Sequence, residues 1–249
     1  MRSSNRLDGV TILVTRPKEQ AAALTSALRA EGADVIERPL VAIVPRGDEA
    51  TVTALATITR ANCDGIIITS VNTVAALATH AKDAARSVKA FAIGEATAAA
   101  LRDNGFNDIV IAEVSTSEGL FDTIESHFGS TLATKRFFAP ASSKARDFIT
   151  HALDDAGAIV STVVVYDTLA QSEVEALPDK TIDWVTFTSP SAVHAFLEAL
   201  ALPEGARVAC LGPTTRNAAR HSGLIVDVAP DSPTIASLVD AIAAATETE

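Results

Sequence analysis

Residues 68–74 read Ile-Thr-Ser-Val-Asn-Thr-Val, and residues 187–193 read Phe-Thr-Ser-Pro-Ser-Ala-Val. The two Thr-Ser pairs are 188 − 69 = 119 residues apart. Residues 93–97 and 211–215 also share a Gly and a Thr at matching positions, 212 − 94 = 118 residues apart. Matched spacings of this kind are the sequence signature of an internal duplication. The sequence therefore predicts two similar folding units.

Around these segments, short runs rich in Val and Ile alternate with stretches of helical pattern about 10 to 15 residues long. This alternation is typical of α/β folds with parallel sheets, because two parallel strands need a crossover connection, usually a helix. Helix starts are predicted beside Pro17, Ser70, Ser189, Pro213 and Ser232. Strands are predicted at residues 10–15, 33–37, 65–69, 89–93, 108–111, 136–139, 159–166, 183–188, 207–211 and 225–228.

Two further segments, residues 39–45 and 161–170, are extended in pattern and longer than a buried strand requires. Pairing of these segments as an antiparallel ribbon would combine residues 1–38 with 171–249 in one lobe and place residues 46–160 in the other. The residues alone leave open a simpler division into an N-terminal and a C-terminal half.

Composition excludes several classes of function. The 20 basic and 31 acidic residues among 249 give a net charge of 20 − 31 = −11, and the basic residues are dispersed, so no nucleic-acid partner is predicted. No apolar run approaches the roughly 18 residues of a membrane helix, and the N-terminal segment has no hydrophobic signal region. We therefore expect a cytoplasmic protein that does not bind membranes.

Cofactor and metal motifs are absent from the sequence. Cys63 and Cys210 belong to no CxxC motif, so we expect buried free thiols, and the five histidines show no ligand spacing. Neither GxxxxGK[ST] nor GxGxxG occurs, and no GxSxG elbow is present. No metal or cofactor is predicted.

The repeated segments combine strand ends with helix starts, where free backbone N–H groups attract anions. Ser70 and Ser189 are predicted to cap helices, and Thr97 and Thr215 to lie in first helical turns. In a parallel sheet these turns lie at the carboxyl ends of the strands, where ligands bind. The alternative is that these residues only cap helices.

Tyr166 is the single Tyr of the chain, and Trp184 is the single Trp. A phenol with an ordinary pKa of about 10 is protonated at neutral pH and can donate to a leaving hydroxyl. A core aromatic with a satisfied hydroxyl is the alternative for Tyr166, and core packing is expected for Trp184.

Taken together, these motifs resemble the uroporphyrinogen-III synthase family along nearly the whole chain. The segments that carry the resemblance are residues 13–17, 69–74, 94–97, 165–168, 187–193, 212–215 and 232–238. Residues 139–146 depart from the family pattern, since a Gly-containing turn is expected before Arg146. The contribution of this loop to the site is left open.

The resemblance implies an α/β fold with two similar parallel-sheet lobes, joined by a two-stranded β ribbon, and a cleft between them. It implies a cofactor-independent, cyclising hydro-lyase whose substrate is hydroxymethylbilane, a linear tetrapyrrole with many carboxylates. The reaction closes the macrocycle with inversion of the last pyrrole ring and loss of water, through a spiro intermediate. A monomer is expected, because a cleft within a single chain needs no partner subunit.

Tyr166 is our candidate catalytic residue, as the group that assists departure of the hydroxyl, because it is the single Tyr and lies on a predicted interlobe strand. The predicted substrate-binding residues are Arg16, Ser70, Asn72, Thr97, Ser189 and Thr215. The cations close to these turns in sequence are Arg16, Arg38, Lys144, Arg146 and Arg216. Two other classes of function remain open, a two-lobed binding protein or sensor for an anionic small molecule and an interaction scaffold.

Overall fold

The computed structural model describes residues 5–145 and 148–247, and the chain divides into two compact units. Unit 1 comprises the chain up to Ala42 and from Leu169 onward, and unit 2 comprises Ile43–Thr168. The narrower limits of lobes and linkers given above stay a prediction.

The strands of the described residues are β1 (Thr11–Val14), β2 (Asp34–Glu37), β3 (Val41–Pro45), β4 (Gly65–Ile68), β5 (Ala90–Ala92), β6 (Ile109–Ile111), β7 (Arg136–Ser142), β8 (Ile159–Ala170), β9 (Trp184–Phe187) and β10 (Arg207–Cys210). The α-helices are α1 (Lys18–Ala30), α2 (Glu49–Ala56), α3 (Val71–His80), α4 (Asp83–Arg86), α5 (Glu95–Asp103), α6 (Ser117–Phe128), α7 (Phe148–Asp155), α8 (Pro190–Ala199), α9 (Pro213–His221) and α10 (Ile235–Thr246). Gly129–Thr134 forms a 3₁₀ helix.

Unit 1 contains a parallel sheet in the order β10-β9-β1-β2. Both faces of this sheet are buried, since Ile12 and Val14 pack in one core cluster with Trp184, and Leu13 packs in another with Phe187. Burial on both faces explains why β1 is hydrophobic or β-branched at every position. Trp184 is 1% exposed, which confirms its expected core position.

The sheet of unit 2 has the order β3-β8-β7-β4-β5-β6. Strands β8, β7, β4, β5 and β6 are parallel to one another. The β4 side chains again alternate between two cores, with Ile66 and Ile68 on one face and Ile67 beside Phe91 on the other.

Strands β3 and β8 are antiparallel. The Arg46 N–H donates to the Val165 carbonyl at 2.9 Å, and the Gln171 N–H donates to the Leu40 carbonyl at 2.9 Å. Residue numbers therefore fall along β3 as they rise along β8, which defines antiparallel pairing.

The strand orders of the two sheets show the duplication directly. The order β2-β1-β9-β10 in unit 1 matches β8-β7-β4-β5 in unit 2. Since β9 and β10 repeat β4 and β5 in sequence, each unit combines two strands from the first copy of the repeat with two from the second. The predicted α/β class with parallel sheets is confirmed.

Two local predictions were wrong. Residues 225–228 form a single bridge, Ala209 to Val228, rather than a strand. The Asp227 carboxylate takes the Val208 N–H at 2.7 Å, so a side chain replaces part of the ladder there. The last long helix begins after Thr234 and not beside Ser232, because the Thr234 hydroxyl accepts from the Ser237 N–H at 3.1 Å.

Over the described ranges, no helix combines the length and apolar character that crossing a membrane demands. Residues 5–145 and 148–247 also contain no group of three or more His, Cys, Asp and Glu side chains placed to hold a metal ion.

Candidate functional site

Helix N-termini follow the ends of two neighbouring strands in unit 2. Ser70 caps α3 after β4, and its hydroxyl accepts from the Asn72 N–H at 3.2 Å. Gly94 occupies the equivalent position before α5, after β5. The register pairs Ile68 with Ala92, so Ser70 and Gly94 lie level at the carboxyl edge of the sheet. This edge therefore presents two sets of backbone donors side by side.

Unit 1 repeats the arrangement. Ser189 caps α8 after β9, accepting from the Ala192 N–H at 3.3 Å, and Gly212 precedes α9 after β10. The register pairs Phe187 with Cys210, so Ser189 and Gly212 are level. The cap positions predicted for Ser70 and Ser189 are confirmed, whereas their proposed contact with a ligand stays a prediction.

A third N-terminus lies at the edge in each unit; the start of α6 was not predicted from the sequence, and that of α10 was predicted two residues early, beside Ser232. The Thr116 hydroxyl accepts from the Gly119 N–H at 3.1 Å at the start of α6. Thr234 makes the matching bond at the start of α10. The signal was available, because 234 − 116 = 118 is the spacing already found between Gly94 and Gly212.

The segments that precede α6 and α10 also explain why residues 94 and 212 are glycines. A Cβ on Gly94 would lie 2.7 Å from the Ser115 Oγ, and a Cβ on Gly212 would lie 2.8 Å from the Pro233 Cβ. Both glycines have extended backbones, with φ of 179° and −170°, so positive φ plays no part. The segment before the third helix therefore approaches closely in both units: a Cβ at residue 212 would displace Pro233, and a Cβ at residue 94 would require the Ser115 hydroxyl to rotate away.

Thr97 and Thr215 lie in the first turns of α5 and α9, as predicted. Each is 4% exposed. Their side chains therefore brace the first helical turn from within rather than projecting into solvent.

Arg16 and Arg216 stand out among the arginines of unit 1. Each is half-buried, and each has a buried Nε without a hydrogen-bond partner among the described residues. The Arg16 Nη2 donates to the Gln20 Oε1 at 3.3 Å, and burial lowers the pKa of this guanidinium. Within the described chain, no carboxylate oxygen lies within 4.0 Å of either guanidinium. By contrast, carboxylates pair with Arg6, Arg38, Arg46, Arg60, Arg86, Arg102, Arg136 and Arg207.

A partly buried cation without a counter-ion carries a desolvation cost that an anionic ligand would offset. The register places Arg16 level with Thr188, next to the Ser189 cap. Arg216 lies one residue after Thr215 in the first turn of α9. Unit 1 therefore adds two unpaired positive charges to its helix N-termini.

The other cations named from sequence are placed differently. Arg38 is engaged by Glu175 at 3.0 Å and by the Ala176 carbonyl at 3.0 Å. Lys144 is exposed, and its backbone N–H donates to the Ser142 Oγ at 3.1 Å. Arg146 lies outside the described residues.

Tyr166 belongs to unit 2 and lies at the same edge as Ser70. Ile66 pairs with Phe138, so Ser142 is level with Ser70, and Ser142 pairs with Tyr166. Tyr166 is 6% exposed and packs in the core cluster of Ile66 and Ile68. No hydrogen bond joins its hydroxyl to another group of the described chain.

Both thiols are buried, as predicted. Cys63 is 5% exposed and Cys210 is fully buried. Burial raises the pKa of both thiols, that of Cys210 to about 12, so neither is a nucleophile at neutral pH.

A cavity of about 310 Å³ lies at the opposite, amino edge of the unit 1 sheet. Its polar groups already have protein partners, since the Asp183 Oδ2 accepts from the Thr11 N–H at 2.7 Å and the Arg207 guanidinium stacks 4.2 Å from the Trp184 ring. We therefore place the candidate site at the carboxyl edges and not here.

An α/β protein in which each unit presents three matched helix N-termini, with unpaired arginines beside those of unit 1, is of the class that binds anionic small molecules. Residues 22–240 match the family model described as uroporphyrinogen-III synthase HemD. The chain belongs to the uroporphyrinogen-III synthase family. Its activity is the one for which that family is named, that of a cyclising lyase of haem biosynthesis.

Curated relatives agree with this assignment. The chain is 31% identical over 234 residues to the uroporphyrinogen-III synthase of Synechococcus elongatus, covering 84% of this chain and 85% of the relative. It is 26% identical over 250 residues to the uroporphyrinogen-III synthase of Chlorobaculum parvum, covering 92% and 97%.

Solved structures support the fold. A mutant uroporphyrinogen III synthase from Thermus thermophilus superposes with a TM-score of 0.65 at 17% identity, covering 97% of this chain and 100% of that one. The uroporphyrinogen-III synthetase of Helicobacter pylori gives a TM-score of 0.60 at 18% identity, covering 93% and 97%. At these identities the likeness concerns the fold alone.

Proposed function

We propose that this chain closes hydroxymethylbilane into uroporphyrinogen III, inverting the last pyrrole ring and releasing water. The family match over residues 22–240 carries this proposal. The duplicated helix N-termini supply the matching chemistry, because the substrate is a flexible polycarboxylate and the edges are built from anion-binding donors.

The net charge of −11 is compatible with a polyanionic substrate. A helix N-terminus stabilises a nearby anion by about 0.3–1 kcal/mol, and by up to about 2 kcal/mol where it is partly buried. Repulsion from distant surface carboxylates is screened by salt within about 8 to 10 Å. Several local termini together therefore outweigh the unfavourable net charge.

In our proposal the substrate-binding residues are Arg16, Ser70, Asn72, Thr97, Ser189 and Thr215. Arg16 contributes an unpaired charge, and Ser70 and Ser189 hold α3 and α8 so that their first N–H groups point to the ligand. Thr97 and Thr215, which are nearly buried, act by bracing the first turns of α5 and α9.

Tyr166 donates a proton to the departing hydroxyl of the substrate. The C–O bond breaks, water leaves, and the pyrrole that carried the hydroxymethyl group becomes a protonated azafulvene, which keeps its N–H proton and balances the charge of the phenolate. The last ring then attacks through its substituted carbon to give the spiro intermediate, which fragments and closes again in the inverted orientation. The phenolate recovers the proton that the final ring releases, so the residue is regenerated.

The protein contributes mainly geometry, since the substrate carries its own reactive groups. The isomer formed depends on which carbon of the last ring attacks the azafulvene. Binding of the substrate carboxylates fixes the position of that ring and so determines the attacking carbon. Free in water, the same substrate closes without inversion to the symmetric type I macrocycle.

The isomer produced tests this function. Purified protein is incubated with freshly prepared hydroxymethylbilane, and the type I and type III products are separated after oxidation. We expect type III product at enzyme concentrations far below that of substrate. If the protein binds hydroxymethylbilane but does not change the ratio of type III to type I product, the result would instead support a sensor of anionic tetrapyrroles. If the protein neither binds the substrate nor changes this ratio, the result would support an interaction scaffold.

We further propose that the enzyme is a cytoplasmic monomer. Both cysteines are free thiols, which suits a reducing compartment. Every residue proposed for the site comes from a single chain. A mass near 25.8 kDa by light scattering, unchanged on dilution, is the expected result.

A further inference from the structure

Strand β8 departs from regular pairing next to Tyr166. Strand β7 pairs Ala141 with Val164 and then Ser142 with Tyr166, so Val165 is an extra residue on β8. A bulge of this kind bends the strand and changes the direction of the side chains beside it. The direction of the Tyr166 ring therefore depends on how firmly this irregular segment is held.

Backbone hydrogen bonds hold the bulge from both sides. The Arg46 N–H, just beyond β3, donates to the Val165 carbonyl at 2.9 Å. The Ser143 N–H, just beyond β7, donates to the Tyr166 carbonyl at 3.0 Å. Arg46 and Ser143, which directly follow the two strands that flank β8, thus hydrogen-bond the bulge from both sides.

The same two residues also bind the side chain that follows Tyr166. The Arg46 guanidinium is bidentate to Asp167, with Nε to Oδ2 at 2.8 Å and Nη2 to Oδ1 at 2.9 Å. The Ser143 side chain also hydrogen-bonds this carboxylate, and together these bonds hold the pKa of Asp167 at about 2. Bidentate Arg–carboxylate pairs fix orientation as well as distance.

Successive side chains of a strand point to opposite faces. Asp167 and its partners therefore lie on the other face of β8 from the Tyr166 ring, and they leave the phenol free. Their effect on Tyr166 passes through the backbone of the bulge.

We infer that Arg46 and Asp167 are positioning residues that clamp the β8 bulge and so aim the Tyr166 hydroxyl at the substrate. The inference rests on the proposed role of Tyr166 as proton donor. Arg46 and Asp167 contact neither the Tyr166 ring nor, in our proposal, the substrate.

The test measures the orientation and mobility of the Tyr166 ring separately from the steady-state kinetics. Because Tyr166 is the single tyrosine, ring-labelled tyrosine gives one set of NMR signals that reports its orientation and mobility directly. The variants are Arg46→Met, Asp167→Asn and the double variant. The matched control is Lys89→Met, which breaks another ion pair of unit 2, with Asp108 at 2.6 Å.

We expect each clamp variant to lower kcat by about tenfold or more while KM changes by less than about threefold, since misplacement of a reacting group mainly slows chemistry. The Tyr166 ring signals should shift or broaden in the same variants. The double variant should be no slower than the slower single variant, because both changes remove one interaction. Lys89→Met should leave kcat and the ring signals unchanged.

Arg46→Lys provides a second test if Arg46→Met does not fold, since it keeps the charge and loses the bidentate geometry. Ring signals and kcat unchanged in both Arg46 variants would overturn the clamp. Ring signals that move while Tyr166→Phe retains full activity would overturn the role of Tyr166 in the reaction. The two failures are therefore distinguishable.

Discussion

Replacement of Tyr166 by Phe removes one oxygen atom and nothing else. The ring, which is 6% exposed and packed in the unit 2 core, keeps its contacts. No hydrogen bond within the described chain depends on the hydroxyl, so the free energy of unfolding should change by less than about 1 kcal/mol. Loss of a general acid costs about 10²- to 10⁴-fold in rate. At about 1.36 kcal/mol per tenfold, the activation barrier should rise by roughly 3–5 kcal/mol.

The assay compares initial rates of type III product with the rate of unassisted closure to type I. Tyr166→Phe should lose most of its type III rate while its denaturant midpoint stays at the wild-type value. Ser161→Ala is the matched control, because it removes an exposed hydroxyl from the same strand. Full type III activity in Tyr166→Phe would refute the proposed proton donation.

Three further predictions concern reactivity, stability and pH. Cys63 and Cys210 should react with a thiol reagent only after denaturation, because both are buried with raised pKa values, and rapid labelling of native protein would contradict this. Phe91→Ala should lower the free energy of unfolding by about 3–5 kcal/mol, since a fully buried ring leaves a cavity; a loss below about 1 kcal/mol in denaturant titration would contradict it. The ion pair of Asp167 should stabilise the fold above its unfolded pKa of about 3.9 and lose that effect as pH falls through the folded pKa of about 2. The stability difference between wild type and Asp167→Asn should therefore disappear near that pH, and a difference constant with pH would show that the pair is not its source.

Local sequence features predicted the elements that depend on local chemistry. The β1 and β4 strands are continuous apolar runs because both faces of each sheet are buried, and runs of that kind are visible without a structure. The Ser70 and Ser189 caps were found because the Thr-Ser pair is repeated in identical letters. The Thr116 and Thr234 caps share spacing but few neighbouring letters, so the start of α6 was not predicted and that of α10 was placed at Ser232.

Features that depend on distant residues were not predictable in this way. Arg46 and Asp167 are 121 positions apart, and only the antiparallel pairing of β3 with β8 brings them together. The bulge beside Tyr166 results from the mismatch between β7 and β8, which neither strand shows alone. The strand predicted at residues 225–228 failed for a related reason, because Asp227 takes a backbone N–H of the neighbouring strand.

In our proposal, repeated helix N-termini hold the carboxylates of the substrate. Calorimetric titration with an unreactive linear tetrapyrrole that carries the same carboxylates tests this most directly. The comparison is between wild type, a fourfold alanine variant at Ser70, Thr97, Ser189 and Thr215, and Asp48→Ala, which removes the cap of α2.

We predict that the fourfold variant binds at least about tenfold more weakly, since loss of the four side chains loosens the first turns of α3, α5, α8 and α9, which present the N–H groups to the substrate. Asp48→Ala should bind as wild type does. Equal affinity in wild type and the fourfold variant would show that these four side chains serve only the structure of the helices, and would contradict their proposed role in substrate binding.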